Sequence, residues 1–287
     1  MIKDDKIQLP DGRSLGFAEY GYPSGIPVFF FHGSAGSRYE SPKDEKILTE
    51  LKIRFISVDR PGHGLSDPMP DRTILDFAND IRQLADKLEI DRFHVLGWSA
   101  GGPYALACMY ELKNRVRSGA IVSGLAPPDR PHPYKGLPFI HKILMFVMRN
   151  LPKATAYMRK GMYNSLKARN DKIGESISKS LIPEDRKVFN LPGIKESFLK
   201  DINEGYKQSW EGVALDDVLI NRSWNFNLKV IQQRIDIWHG NKDKNVSIFQ
   251  AQYQNEMLSN SRLHVMENCG HLFLLIDWEQ VLIKLIE

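Results

Sequence analysis

Five residues, Gly97-Trp98-Ser99-Ala100-Gly101, stand between the apolar run Phe93-His94-Val95-Leu96 and the helix-like stretch Pro103 to Tyr110. Such a string arises by chance in many chains, and the plain reading is a small-residue turn. Here, however, the order strand, motif, helix is the one that forces a sharp turn at the carboxyl end of a strand. Glycines suit that turn because the backbone crossings it creates leave no room for a Cβ. The serine then stands clear of the sheet. Ala100, at the start of the helix, has an amide without an intrahelical acceptor at the positive end of the dipole, so it can face a developing oxyanion. A chain built this way needs a sheet below the serine and a helix behind it.

The surrounding sequence supplies both. Short β-rich runs alternate with helical patterns, the signature of a mostly parallel central sheet flanked by helices. Ile7 to Leu9 and Leu15 to Tyr20 flank Pro10-Asp11-Gly12 and read as an opening hairpin. Further strands are predicted at Val28 to Phe31, Phe55 to Val58, Val116 to Val122, Ile235 to His239 and Leu263 to Met266. Helical spacing covers Ile74 to Leu88, Phe249 to Leu258 and Leu272 to Ile286. After Gly124 the prolines 127, 128, 131, 133 and 138 break the pattern, and the chain to about Asn221 reads as helices without strands. The expected organisation is an α/β core over residues 1–124 and 222–287, interrupted by a helical insertion over 125–221. With 287 residues and 42% hydrophobic content, there is enough chain to bury such a core.

Charge and cysteine content narrow the partners. Lys3, Asp4, Asp5 and Lys6 leave no legible secretory or transit leader, so a cytoplasmic protein is expected. Cys108 and Cys269 are the only cysteines, which reads as two free thiols and offers nothing for a zinc site. The net charge is +4, but Arg130, Lys135, Lys142, Arg149, Lys153, Arg159, Lys160, Lys167 and Arg169 form a run of nine cations without one acid. A solvated helix face is the simplest account of that run. An acidic membrane surface, an anionic ligand or nucleic acid are the others, and nucleic acid has no support beyond net charge. No cofactor or metal is expected, because no dinucleotide fingerprint follows a strand.

In open α/β sheets ligands collect beyond the carboxyl ends of the strands. The loop His32-Gly33-Ser34-Ala35-Gly36 can aim the Ser34 amide at the oxygen faced by Ala100, giving two oxyanion donors. The loop Gly240 to Val246 holds one carboxylate, Asp243, and Asn268-Cys269-Gly270-His271 presents a histidine. An un-ionised serine needs a base, and an imidazole in turn needs a carboxylate to fix its tautomer. Ser99, Asp243 and His271 fill those roles in that chain order. Asp216, Asp217 and Asp236 are the other acids weighed for the third role. His32, His63 and His239 read as structural in their glycine turns, and His94 as a sheet residue. His132, His141 and His264 carry no spacing signal.

Taken together, these stretches and the run Val58-Asp59-Arg60-Pro61-Gly62-His63-Gly64 resemble the landmarks of the α/β-hydrolase superfamily along the whole chain. The resemblance implies that Gly124 to Asn221 caps the active site, with the substrate pocket between cap and core. It also implies a serine hydrolase that cleaves an ester, thioester, lactone or amide of a small, apolar substrate through an acyl-enzyme. Relatives that attack saturated carbon place a carboxylate where Ser99 stands. Prolyl aminopeptidase-like members typically carry Trp where Ala100 stands and need acids for a substrate ammonium, here sought among Glu184, Asp185, Glu204 and Glu211. A small-molecule receptor with slow turnover would keep the same residues. The apolar run Phe139 to Met148 is too short to span a bilayer and is expected to be buried or to face the pocket, so Phe139, Ile143 and Phe146, with Trp98, are the candidate substrate contacts.

Overall fold

The computed structural model describes residues 3–168 and 170–287. Eight strands form one sheet: β1 Lys3–Gln8, β2 Ser14–Gly21, β3 Ile26–Phe31, β4 Ile53–Val58, β5 Phe93–Trp98, β6 Val116–Val122, β7 Arg234–Gly240 and β8 Ser261–Met266. Their order is β1-β2-β4-β3-β5-β6-β7-β8. The opening hairpin is antiparallel and β2 runs antiparallel to β4, while every later pairing is parallel.

The continuous apolar runs follow from burial on both faces. Along β3, Phe29 and Phe31 pack to one side with α2 (Asp76–Lys87), α3 (Gly102–Glu111) and α10 (Ile248–Met257). Val28 and Phe30 point to the other side, against Leu48 of α1 (Lys46–Glu50) and Trp278, Val281 and Leu282 of α11 (Trp278–Ile286). The short α1 carries too little pattern to be read from sequence. The predicted C-terminal helix begins later than its spacing suggests. A 3₁₀ turn over Phe273–Leu275 comes first, burying Phe273 and Leu274, and Asp277 at φ −133°, ψ 50° separates it from α11.

Among the described residues six α-helices separate β6 from β7: α4 Phe139–Asn150, α5 Pro152–Ala168, α6 Asn170–Ser180, α7 Pro183–Phe189, α8 Ile194–Gly205 and α9 Glu211–Ile220. Leu166, Ile202, Tyr206 and Val213 form a small core of their own that reaches Ala35, just beyond β3. A buried charge cluster ties α9 to the sheet. Asp216 takes Arg60, Arg72 and the Tyr104 hydroxyl (2.8 Å), with His63 Nε2 3.2 Å away. The two arginines hold its carboxyl well below the usual range despite complete burial. Asp216 is therefore a fastening between α9 and the loops after β4.

Candidate active site

Ser99 opens the turn after β5 with φ +51°, a left-handed conformation that costs a non-glycine residue energy. Its neighbours explain how the chain holds it there. A Cβ on Gly101 would strike the Phe31 carbonyl, and one on Gly97 would strike the carbonyl of Gly101. The turn can pack this tightly on β3 only because both are glycines.

Two loops from the far strands complete the arrangement. Ser99 Oγ–H donates to His271 Nε2 at 2.9 Å, and His271 Nδ1–H donates to Asp243 Oδ2 at 2.7 Å. The second Asp243 oxygen accepts the amides of Asn245 (2.8 Å) and Val246 (2.9 Å), so its loop fixes the carboxylate. All three side chains are buried. Burial presses the His271 imidazolium down, but the adjacent Asp243 charge and hydrogen bond outweigh it and the net shift is upward. For Asp243, burial pushes up while His271 pulls down harder, and its pKa is lowered. An alcohol, an imidazole and an oriented carboxylate in this order can pass the hydroxyl proton to the ring.

Asp236, within β7, accepts from His264 at 2.7 Å outside this cluster. His32 Nδ1 meets the Gly33 carbonyl, His63 Nδ1 that of Gly36, His239 Nε2 that of Val246, and His94 Nδ1 the Ser118 hydroxyl. These four rings brace turns and sheet. His132 is exposed.

Ser34 and Ala100 both line the cavity above Ser99. The Gly33 amide is taken by Glu40 Oε2 at 3.0 Å, which fixes the loop one residue before Ser34. Ala100 is the second residue of the 3₁₀ turn Ser99–Gly101, a position whose amide has no acceptor within the turn.

The cavity measures about 450 Å³, within the range of small-molecule sites. Trp98 lines it, and its indole donates to the His271 carbonyl at 3.3 Å. Phe139, Ile143 and Phe146 do not line it. They are 77%, 43% and 53% exposed, and the inward face of α4 is made instead by His141, Leu144, Met145 and Met148. A helix apolar on nearly all sides gives no sequence signal for which stripe turns inward, and here the stripe offset from the expected one does.

The contacts of several lining residues carry no sequence signal because their partners are far away along the chain. Arg159 on α5 binds Asp217 on α9 and donates to the Ser34 hydroxyl at 2.9 Å. Asp185 on α7 accepts the Leu272 amide at 2.8 Å, steadying the residue after His271. Glu40 and Asp201 stand together in the cavity wall: Asp201 Oδ1 takes the Ser37 amide (2.9 Å) and hydroxyl (2.6 Å), while Glu40 Oε1 is buried without a hydrogen-bond partner among the described residues. Burial first, then the Asp201 charge, raises the Glu40 carboxyl well above its usual range, and burial likewise raises Asp201. Of the acids expected to meet an ammonium, only Asp185 lines the cavity, while Glu204 is paired with Arg38 at 2.8 Å. Among the described residues no helix is long and apolar enough to cross a membrane.

Comparison with known proteins agrees with this architecture. A proline iminopeptidase of Arabidopsis thaliana is 30% identical over 122 residues, 42% of this chain and 32% of that protein, so the chain spans about a third of that relative's length. An esterase from Exiguobacterium antarcticum superposes with a TM-score of 0.73 at 23% identity, covering 99% of this chain and 98% of the other. A thermophilic esterase from Thermogutta terrifontis gives 0.69 at 21%, covering 97% and 95%. Both structural likenesses speak to the fold. Residues 26–277 match the family model described as alpha/beta hydrolase fold, and this chain belongs to that family.

Proposed function

We propose that the protein is a serine hydrolase acting on a carboxylic ester-like bond of a small, mainly apolar substrate. The observation that carries this reading is the contact of Ser99 Oγ with His271 Nε2, continued to Asp243, at the floor of a cavity walled by Leu144, Met145 and Met148. In the proposed mechanism Ser99 Oγ attacks the carbonyl carbon while its proton passes to His271 Nε2. The amides of Ser34 and Ala100 stabilise the oxyanion. Collapse breaks the bond to the leaving group, which takes the proton from His271 and leaves an acyl-serine. Water then attacks this acyl group, giving its proton to His271, and the carboxylic acid departs as Ser99 recovers its hydrogen. Asp243 holds the ring and stabilises the imidazolium throughout.

A fluorophosphonate probe tests this directly. The chain should be labelled at Ser99 and should hydrolyse short p-nitrophenyl esters with steady turnover, and Ser99→Ala should lose both. Labelling or turnover that survives in Ser99→Ala overturns the assignment, and a burst followed by stalled release favours a slow-turnover receptor.

A second reading has its own support. The Glu40 and Asp201 carboxyls in the cavity wall, raised by burial, would supply negative charge for a substrate ammonium by releasing a proton as it binds, as an aminopeptidase acting on an N-terminal proline requires. The identity to proline iminopeptidases points the same way. Cleavage of proline p-nitroanilide in preference to p-nitrophenyl butyrate, lost in a Glu40→Gln, Asp201→Asn double variant, would select it.

A further inference from the structure

Of the twelve large apolar side chains left exposed among the described residues, seven lie between Phe139 and Met158. Phe139, Ile140, Ile143 and Phe146 stand on the outer side of α4, Leu151 at the junction, and Tyr157 (79% exposed) and Met158 on α5. Solvating so many large apolar groups in one hairpin is unfavourable, and such patches mark surfaces that meet something else.

The surrounding charge identifies what that is. Between Arg130 and Lys167 there are eight Lys or Arg and no Asp or Glu. Lys135, Lys142, Lys153, Lys160 and Lys167 are all exposed. On α4, Lys142 lies three residues after Phe139 and four before Phe146, so it shares their side of the helix, and Lys153 stands in the same relation to Tyr157 on α5. A two-fold dimer through this face would press lysines against lysines. The apolar side chains also project from helix surfaces rather than lining a groove that a folded partner would fill. At about 18 Å, twelve residues of helix rest on a bilayer rather than cross it.

We infer that the outer face of α4 and α5 docks on an anionic phospholipid surface. Phe139, Ile140, Ile143 and Phe146 enter the headgroup region, and Lys135, Lys142 and Lys153 sit against the phosphates. The opposite side of α4 carries Leu144, Met145 and Met148, so one helix separates the lipid from the cavity above Ser99.

Sedimentation of the full chain with phospholipid vesicles tests this. The protein should pellet with phosphatidylcholine vesicles containing about one third phosphatidylserine and not with phosphatidylcholine alone, and added salt should release it. Phe139→Ser with Phe146→Ser, and separately Lys142→Glu with Lys153→Glu, should each weaken the partition about tenfold. Unchanged melting curves would show that these exposed positions leave the fold intact. Ser99→Ala should bind as the parent does, which keeps the result independent of the hydrolytic reading. Failure to pellet with anionic vesicles, equal pelleting with both kinds, or a dimer dissolved by the phenylalanine substitutions would each overturn the inference.

Discussion

Arg159 Nη2 lies 2.9 Å from the hydroxyl of Ser34, joining the inserted helices to the loop that follows β3. The same guanidinium is held by Asp217, and Ser34 Oγ also donates to Asp217 at 3.1 Å. The arginine thus positions the residue whose amide is proposed to bind the oxyanion. Replacing it with Met should leave the buried Asp217 carboxyl without its cation, costing about 3 kcal/mol. It should also lower kcat for a p-nitrophenyl ester more than it raises KM. Adding Asp217→Asn should restore melting temperature but not kcat. A double variant that regains full turnover would show that Arg159 serves packing alone.

The pH profile follows from His271. Its pKa stands above 6.5 because the Asp243 charge and hydrogen bond outweigh burial. Hydrolysis requires the neutral ring, so kcat/KM should rise through a one-proton limb centred above 6.5. Asp243→Asn should reduce kcat by about 10⁴-fold and move that limb to lower pH. Stability runs the other way. The folded chain binds this proton more tightly, so the contribution of His271 is complete below 6.5 and fades as pH rises through the folded value. A limb that keeps its position in Asp243→Asn argues against this electrostatic coupling.

Glu40 and Asp201 predict a stability effect of opposite origin to that of a paired carboxylate. Both keep their protons above the usual range because they are buried, and for Glu40 the Asp201 charge adds to this. Folding therefore becomes less favourable as pH rises above 4.5, the ordinary value for Glu40. Glu40→Gln keeps an acceptor for the Gly33 amide and removes the titrating carboxyl from the buried pair. Its melting temperature should exceed the parent's at alkaline pH and converge with it in acid. A difference that stays constant with pH would mean that the buried Glu40 carboxyl does not set this dependence.

The left-handed Ser99 gives a test independent of activity. Ser99→Ala keeps the strained φ of +51°, whereas Ser99→Gly relieves it. In urea unfolding the glycine variant should be more stable than the alanine variant by about 1 kcal/mol, despite the greater freedom of its unfolded chain. Equal stabilities would mean the turn carries no strain.

Much of the core was legible because its cues are local. The runs at Val28, Phe55 and Val116 mark strands buried on both faces, and the glycines around Ser99 mark the turn that lifts it. Asp243 and His271 were readable because each follows a strand in a loop with few other candidates. The remaining wall of the cavity is set by tertiary contact. Ser34 and Arg159 are 125 positions apart, Ser37 and Asp201 164 apart, and nothing in either neighbourhood signals the other. The outward stripe of α4 was misassigned for a different reason. Both stripes are apolar, so periodicity alone does not say which one meets the core.

The Asp216 cluster fixes only one end of the insertion. Arg60, Arg72 and Tyr104 clasp α9, while α4 meets the cavity mainly through the interchangeable side chains Leu144, Met145 and Met148. Remodelling for a new ligand shape can therefore be confined to the first helix of the insertion, leaving its anchor and the chemistry beneath it undisturbed.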